Sequence, residues 1–118
     1  MKRHKTNKTI AGYHLLMILS AIDFRFNSEK DKIIREYLVQ EFPFYVNLDR
    51  EMEIISALKP EEWEEHYRLY CQDFLEDANK EELLDFFNFA LQLIKADNII
   101  SRNENHYLKI LYNQWFKK

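Results

Sequence analysis

One glycine, two prolines and one cysteine are all that this 118-residue chain has of the residues that punctuate or staple a fold. So few breakers argue against a hairpin-rich β architecture, whose tight turns draw on Gly and Asn. The lone Cys71 excludes an intramolecular disulfide, and its neighbours Tyr70 and Phe74 mark it as a small core residue, not a reactive thiol. Long apolar runs are missing too. The longest, Leu15 to Ile22, is interrupted by Ser20 and is far too short to span a bilayer. The basic start runs into a helix with no small-residue cleavage site after it, so no secretory leader is expected and a cytoplasmic location follows by default.

Basic charge on a folded element is equally scarce. The net charge is −3, yet Lys2, Arg3, Lys5 and Lys8 fall in the first ten residues with no acid among them. The rest of the chain is therefore more acidic than the total. A basic tail on an acidic body is not the basic face that nucleic-acid binding needs, so no nucleic-acid partner is expected. Residues 1–8 read as a solvated, flexible tail, and 9–118 as one domain. Apolar side chains are plentiful: hydrophobic content is 47% and aromatic content 15%. A chain of this length buries about two thirds of its unfolded surface, enough for a true core.

The hydrophobic spacing is helical throughout, and no segment shows sustained strand alternation. Thr9 or a neighbour caps a first helix running to about Ile22, apolar over most of its circumference, as a buried helix is. Ser28 with Asp31 resembles a capping box for a second helix to about Glu41, with Ile33, Ile34, Tyr37 and Leu38 inward. Pro43 ends that helix near Phe42. Asn47 or Asp49 opens a shorter helix through Leu58, and Pro60 suits the first turn of a fourth helix, where its missing N–H has no partner to lose. Glu61, Glu62, Glu64 and Glu65 there complement the helix dipole without any substrate. Asn79 and Glu82 open a fifth helix, Leu83 to about Ala96, whose density of Leu and Phe predicts a central position. Ser101 and Glu104 cap the last helix. The predicted class is all-α: a compact bundle of about six or seven helices.

Two segments of this chain match each other. Leu15, Leu16 and Leu19 precede Asp23 as Phe89, Ala90 and Leu93 precede Asp97; Ile33, Ile34, Tyr37 and Leu38 then register with Tyr107, Leu108, Leu111 and Tyr112. Each copy reads as an apolar helix, a turn opened by an aspartate, and an amphipathic helix, which predicts two pseudo-repeated helix pairs sharing one interior.

At these residues the chain resembles the TerB-like domains, the family named for bacterial tellurite-resistance proteins. That family shows a helix ending in Ala-Asp-Gly, a short hydrophobic-Ser/Asp step, and a glutamate one turn into the next helix, twice over. Here Ala96, Asp97, Asn98, Ile99, Ile100, Ser101 and Glu104 follow the pattern with Asn98 in place of glycine, a mild change at a left-handed turn position. In the first copy, around Ala21, Ile22 and Asp23, Phe24 replaces the glycine and Lys30 stands where the glutamate belongs, flanked by Glu29 and Asp31. The resemblance spans about Ile10 to Trp115. It implies an all-helical fold, a non-enzymatic binding or interaction role in stress or tellurite resistance, and an acidic cluster able to hold a divalent cation.

The candidate ligands for such a cation are Asp23, Asp97 and Glu104, with Asp31 or Glu29 as further oxygen donors, a set that suits Ca²⁺ or Mg²⁺. The competing reading is that each acid caps a helix or closes a turn. An EF-hand loop from Asp97 fails, because Ile99 would occupy a ligand position and the central glycine is absent. His4, His14, His66 and His106 share no helical spacing, and His66 and His106 fall among surface positions, so no zinc site is expected. No serine or cysteine sits in a nucleophile elbow, no glycine loop cradles phosphate, and no catalytic residue is assigned. The apolar stretch Phe42–Val46 either covers the core of its own chain or docks a protein partner, the scaffold alternative to a cation-binding role.

Overall fold

A computed structural model describes residues 7–22, 28–42, 46–95 and 100–117. Within these residues every regular element is helical. The elements are α1 (Lys8–Ala21), α2 (Ser28–Glu41), α3 (Leu48–Ser56), a 3₁₀ turn (Pro60–Glu62), α4 (Trp63–Asp77), α5 (Lys80–Lys95) and α6 (Arg102–Trp115). The principal extents are 35 × 33 × 31 Å.

The helix starts follow local chemistry. Asn7 accepts from the Ile10 N–H at 2.8 Å and caps α1, two residues earlier than Thr9 would. Asn47 caps α3 through the Arg50 N–H. Asn79 and Glu82 exchange reciprocal bonds at the start of α5, and Ser101 and Glu104 do the same for α6. Pro60 lies in the 3₁₀ turn that leads into α4. Ser28 already belongs to α2, and Asp31 faces α1 instead of capping its own helix.

The centre of the bundle is α1, not residues 83–96. Eleven of its fourteen residues are buried, and it packs on α2, α3, α4 and α5, touching α6 as well. Helix α5 is amphipathic, with Leu83, Phe86, Ala90, Leu93 and Ile94 inward and Leu84 exposed. Density of apolar residues misleads here because α5 spends part of its Leu and Phe on half-buried positions, whereas α1 has no polar face to turn outward.

Both expected helix pairs are present, but they are not packed alike. In α2 the buried positions are Ile34 and Leu38, and Ile33 is exposed. In α6 the residue matching Ile33, Tyr107, is buried, while Tyr112, which matches Leu38, is exposed. The two helices therefore present rotated faces to the core. Tyr37 stacks on Phe89 with centroids 3.8 Å apart, so α2 leans partly on α5. Phe42 is buried edge-on against Phe74 and Val46 is half-buried against the core, which makes these two ends of the apolar stretch intramolecular cover; residues 43–45 lie outside the described residues.

Candidate functional site

Of the predicted cation ligands, Asp23 and Asp97 lie outside the described residues. Of the other three, Glu29 is exposed in the first turn of α2, and Asp31 and Glu104 are engaged in holding the fold. Asp31 Oδ1 accepts the Tyr13 hydroxyl at 2.7 Å and Arg35 Nε at 2.9 Å. Glu104 accepts the Ser101 N–H at 2.9 Å while its own N–H donates to the Ser101 hydroxyl. Lys30, at the position of the expected first-copy glutamate, sends its ammonium to the Leu93 carbonyl at the far end of α5. Among the described residues no group of three or more His, Cys, Asp or Glu side chains is arranged to hold a metal ion. Cys71 is fully buried and burial pushes its thiol well up, as a core position requires.

The structure does assemble a polar site that spacing along the chain concealed. His14, in the middle of apolar α1, is fully buried. Its Nε2 lies 2.6 Å from Glu51 Oε1 on α3, and its Nδ1 lies 2.8 Å from His66 Nε2 on α4. Tyr70 stacks on both imidazoles at a centroid distance of 4.2 Å. A hollow of about 170 Å³ lined by Leu58, Glu62, Glu65, His66 and Leu69 lies at the outer end. Burial pushes the Glu51 carboxyl up, against the pull of Arg50 and His66. His66 is thus half-buried and hydrogen-bonded, a correction to its reading as a surface residue; the pairing was invisible because it joins two helices. The available signal was His14 itself, a lone polar ring in a helix apolar all round, since a buried polar group demands partners. His106, by contrast, is exposed and pairs with Glu64 at 2.7 Å, which holds that carboxyl below its ordinary range.

A second feature lies at the start of α3. A groove of about 250 Å³ runs between α2 and α3, lined by Thr9, Leu38, Val39, Phe42, Val46 and Leu48 with Arg35, Asn47 and Asp49 at its rim. Val39 stands on its edge, 68% exposed. Beyond Val39 a shallow, mainly apolar hollow of about 410 Å³ continues over Arg35, Glu36 and Gln40. Arg35 is held between Asp31 and Asp49, with its Nη1 2.8 Å from Asp49 Oδ1. Burial works against the guanidinium charge there, but its hydrogen bonds to Asp31, Asp49 and the Tyr13 hydroxyl outweigh it and hold Arg35 above its ordinary range. Arg35 thus pairs with both Asp31 and Asp49, and the acids that line the two hollows are Asp49 and Glu36.

No family model, no curated protein and no solved structure matches this chain. No described helix is long and apolar enough to cross a membrane.

Proposed function

We propose that this protein is a non-enzymatic interaction module whose α2–α3 groove receives a basic amphipathic helix of a protein partner. The observation that carries the reading is Val39, an aliphatic residue left 68% exposed where the groove meets the shallower hollow, at a rim whose lining acids are Asp49 and Glu36 and whose one lining arginine is already paired. An apolar channel flanked by a helix on each side accepts the i, i+3, i+4, i+7 stripe of a docked helix. The acidic rim favours lysine or arginine beside that stripe, and opposite charge at a rim mainly sets specificity and association rate. The TerB-like resemblance would set such a module in a tellurite-resistance or stress system. The described acids Asp31 and Glu104 lend the divalent-cation alternative no support, because a capping box and an ion pair account for both.

The test is titration of labelled amphipathic Leu/Lys and Leu/Glu helical peptides, read by fluorescence anisotropy. The Leu/Lys peptide is expected to bind, and the Leu/Glu peptide not to. Val39→Gln is expected to weaken binding by about tenfold, roughly the loss of one well-buried aliphatic contact. Leu69→Gln, on α4 and away from the groove, is expected to leave it unchanged. Equal binding of both peptides, binding of neither, or self-association that closes the groove with a second copy would overturn the proposal.

A further inference from the structure

Glu51, His14 and His66 tie α3, α1 and α4 together at one buried point. Two protonation patterns complete this chain of contacts. In one, the Glu51 carboxylate accepts Nε2–H of His14, and His14 Nδ1 accepts Nε2–H of His66. In the other, a protonated Glu51 donates to His14 Nε2, and His14 Nδ1–H donates to His66 Nε2. From the first pattern, one added proton on Nδ1 of His66 leaves both contacts in place, and the second pattern is a tautomer of that same singly protonated state. The next has two destinations. On His14 Nδ1 it sets N–H against N–H across 2.8 Å, between two cations. On Glu51 it removes the charge that holds the His14 N–H. Either way the link weakens.

The element with least else to hold it is α3. It has nine residues, packs chiefly on α1, and buries only Leu48 and Ile55 fully, one on each side of Glu51. Helices α1 and α4 share the most extensive packing in the bundle and stay together without the link. The charged and titratable groups around His14 and His66 include Glu51 and Arg50 from α3, Tyr70 and Glu65 from α4, and Glu62 from the 3₁₀ turn. Residues Asn47, Leu48 and Asp49 at the start of α3 form one wall of the α2–α3 groove.

We propose that the Glu51–His14–His66 chain is a proton-operated latch on α3, closed near neutral pH and released by double protonation as the pH falls through the histidine range. A released α3 withdraws one wall of the groove, so docking there is expected to weaken in acid. That consequence rests on the interaction reading above; the release of α3 does not.

The experiment is amide hydrogen exchange on the full chain, corrected for intrinsic rate, comparing α3 with α6. Protection of α3 relative to α6 is expected to fall about tenfold between pH about 7 and about 5.5, the scale of one charged hydrogen bond lost across the histidine titration. His66→Gln retains a side-chain N–H for His14 Nδ1 without a titrating ring, and the pH-dependent fall is expected to vanish. If that variant is unfolded by circular dichroism, Glu51→Gln takes its place, with α3 already loose at neutral pH and little further change in acid. Constant α3 protection in the native chain, or the same fall in the variant, overturns the latch. Leu/Lys peptide titration at both pH values separates the two proposals. No binding at either pH with a falling α3 protection removes the docking site and leaves the latch; equal binding with constant protection does the reverse.

Discussion

Gly12 sits where α1 crosses its neighbours, and a Cβ built on it would stand 3.0 Å from Phe86 Cε2, 3.2 Å from Leu38 Cδ2 and 3.3 Å from Phe74 Cε2. The only glycine of the chain is thus a point of close approach inside the central helix, not a turn residue. Alanine is better than glycine in a helix by about 1 kcal/mol, but forcing a methyl group into a filled core costs about 1–3 kcal/mol. Phe86 and Phe74 are fully buried and have little room to yield. Gly12→Ala is therefore expected to lose about 1 kcal/mol net, the middle of what remains once the helix gain is subtracted, read as a lower midpoint in urea unfolding. An unchanged or raised midpoint would show that the rings relax away.

Tyr67 is expected to behave in the opposite sense. Its ring is fully buried against Tyr107 at 4.8 Å, and its hydroxyl has no hydrogen-bond partner among the described residues. Burial raises its phenol well above the ordinary range, so it stays neutral. An unsatisfied buried hydroxyl costs about 1–3 kcal/mol that its removal recovers in part. Tyr67→Phe is expected to stabilise the protein by about 1 kcal/mol in thermal or urea unfolding. A loss of similar size would reveal a hidden acceptor.

At the start of α6, Ser101 and Glu104 exchange bonds of 3.0 and 2.9 Å. Ser101→Ala is expected to cost about 1 kcal/mol, the usual loss of a side-chain cap. Glu104→Gln keeps an oxygen for the Ser101 N–H and is expected to change stability by less than about 0.5 kcal/mol. A large loss on Glu104→Gln, measured with and without added Ca²⁺, would mean that the carboxylate charge does more than cap the helix.

The helices were legible in the sequence because their signals are local. Asn47, the Asn79–Glu82 pair and the Ser101–Glu104 pair all act where their spacing put them. The central position of α1 was stated by its lack of a polar face, yet α5 drew the prediction because counting apolar residues ignores which of them share a face. The doubled pattern gave two helix pairs but not their packing: a repeat fixes which residues are apolar, and the partners across the core decide which of those are covered. The histidine chain shows in the sequence only as His14, a lone polar ring in an apolar helix, and its partners do not. His14, Glu51 and His66 belong to three helices, and only tertiary packing brings them within hydrogen-bond reach.

Glu41 and Asp85 bring two carboxyl groups together between the end of α2 and α5, beside Glu82. Asp85 also accepts the Tyr37 hydroxyl at 3.0 Å, so Glu41 is the member with freedom to hold a proton. The hydrogen bond that protonated Glu41 donates to Asp85 first, then partial burial and the charges of Asp85 and Glu82, raise the Glu41 carboxyl above its ordinary range. A carboxyl raised on folding stabilises the native state below its unfolded pKa of about 4.3, and that contribution is lost as pH rises through the folded value. Near pH about 7 the two acids then repel each other across an exposed edge. Glu41→Gln supplies a permanent N–H donor to Asp85 and removes one charge. It is expected to raise the melting temperature slightly at pH about 7, with the gain shrinking toward pH about 4, where the native glutamate already carries its proton. Because the site is largely solvent-exposed the gain should also fall with added salt. Melting curves for both proteins at the two pH values and at low and high salt check the sign. A variant less stable than the native chain at neutral pH would place Glu41 in a favourable charge contact instead.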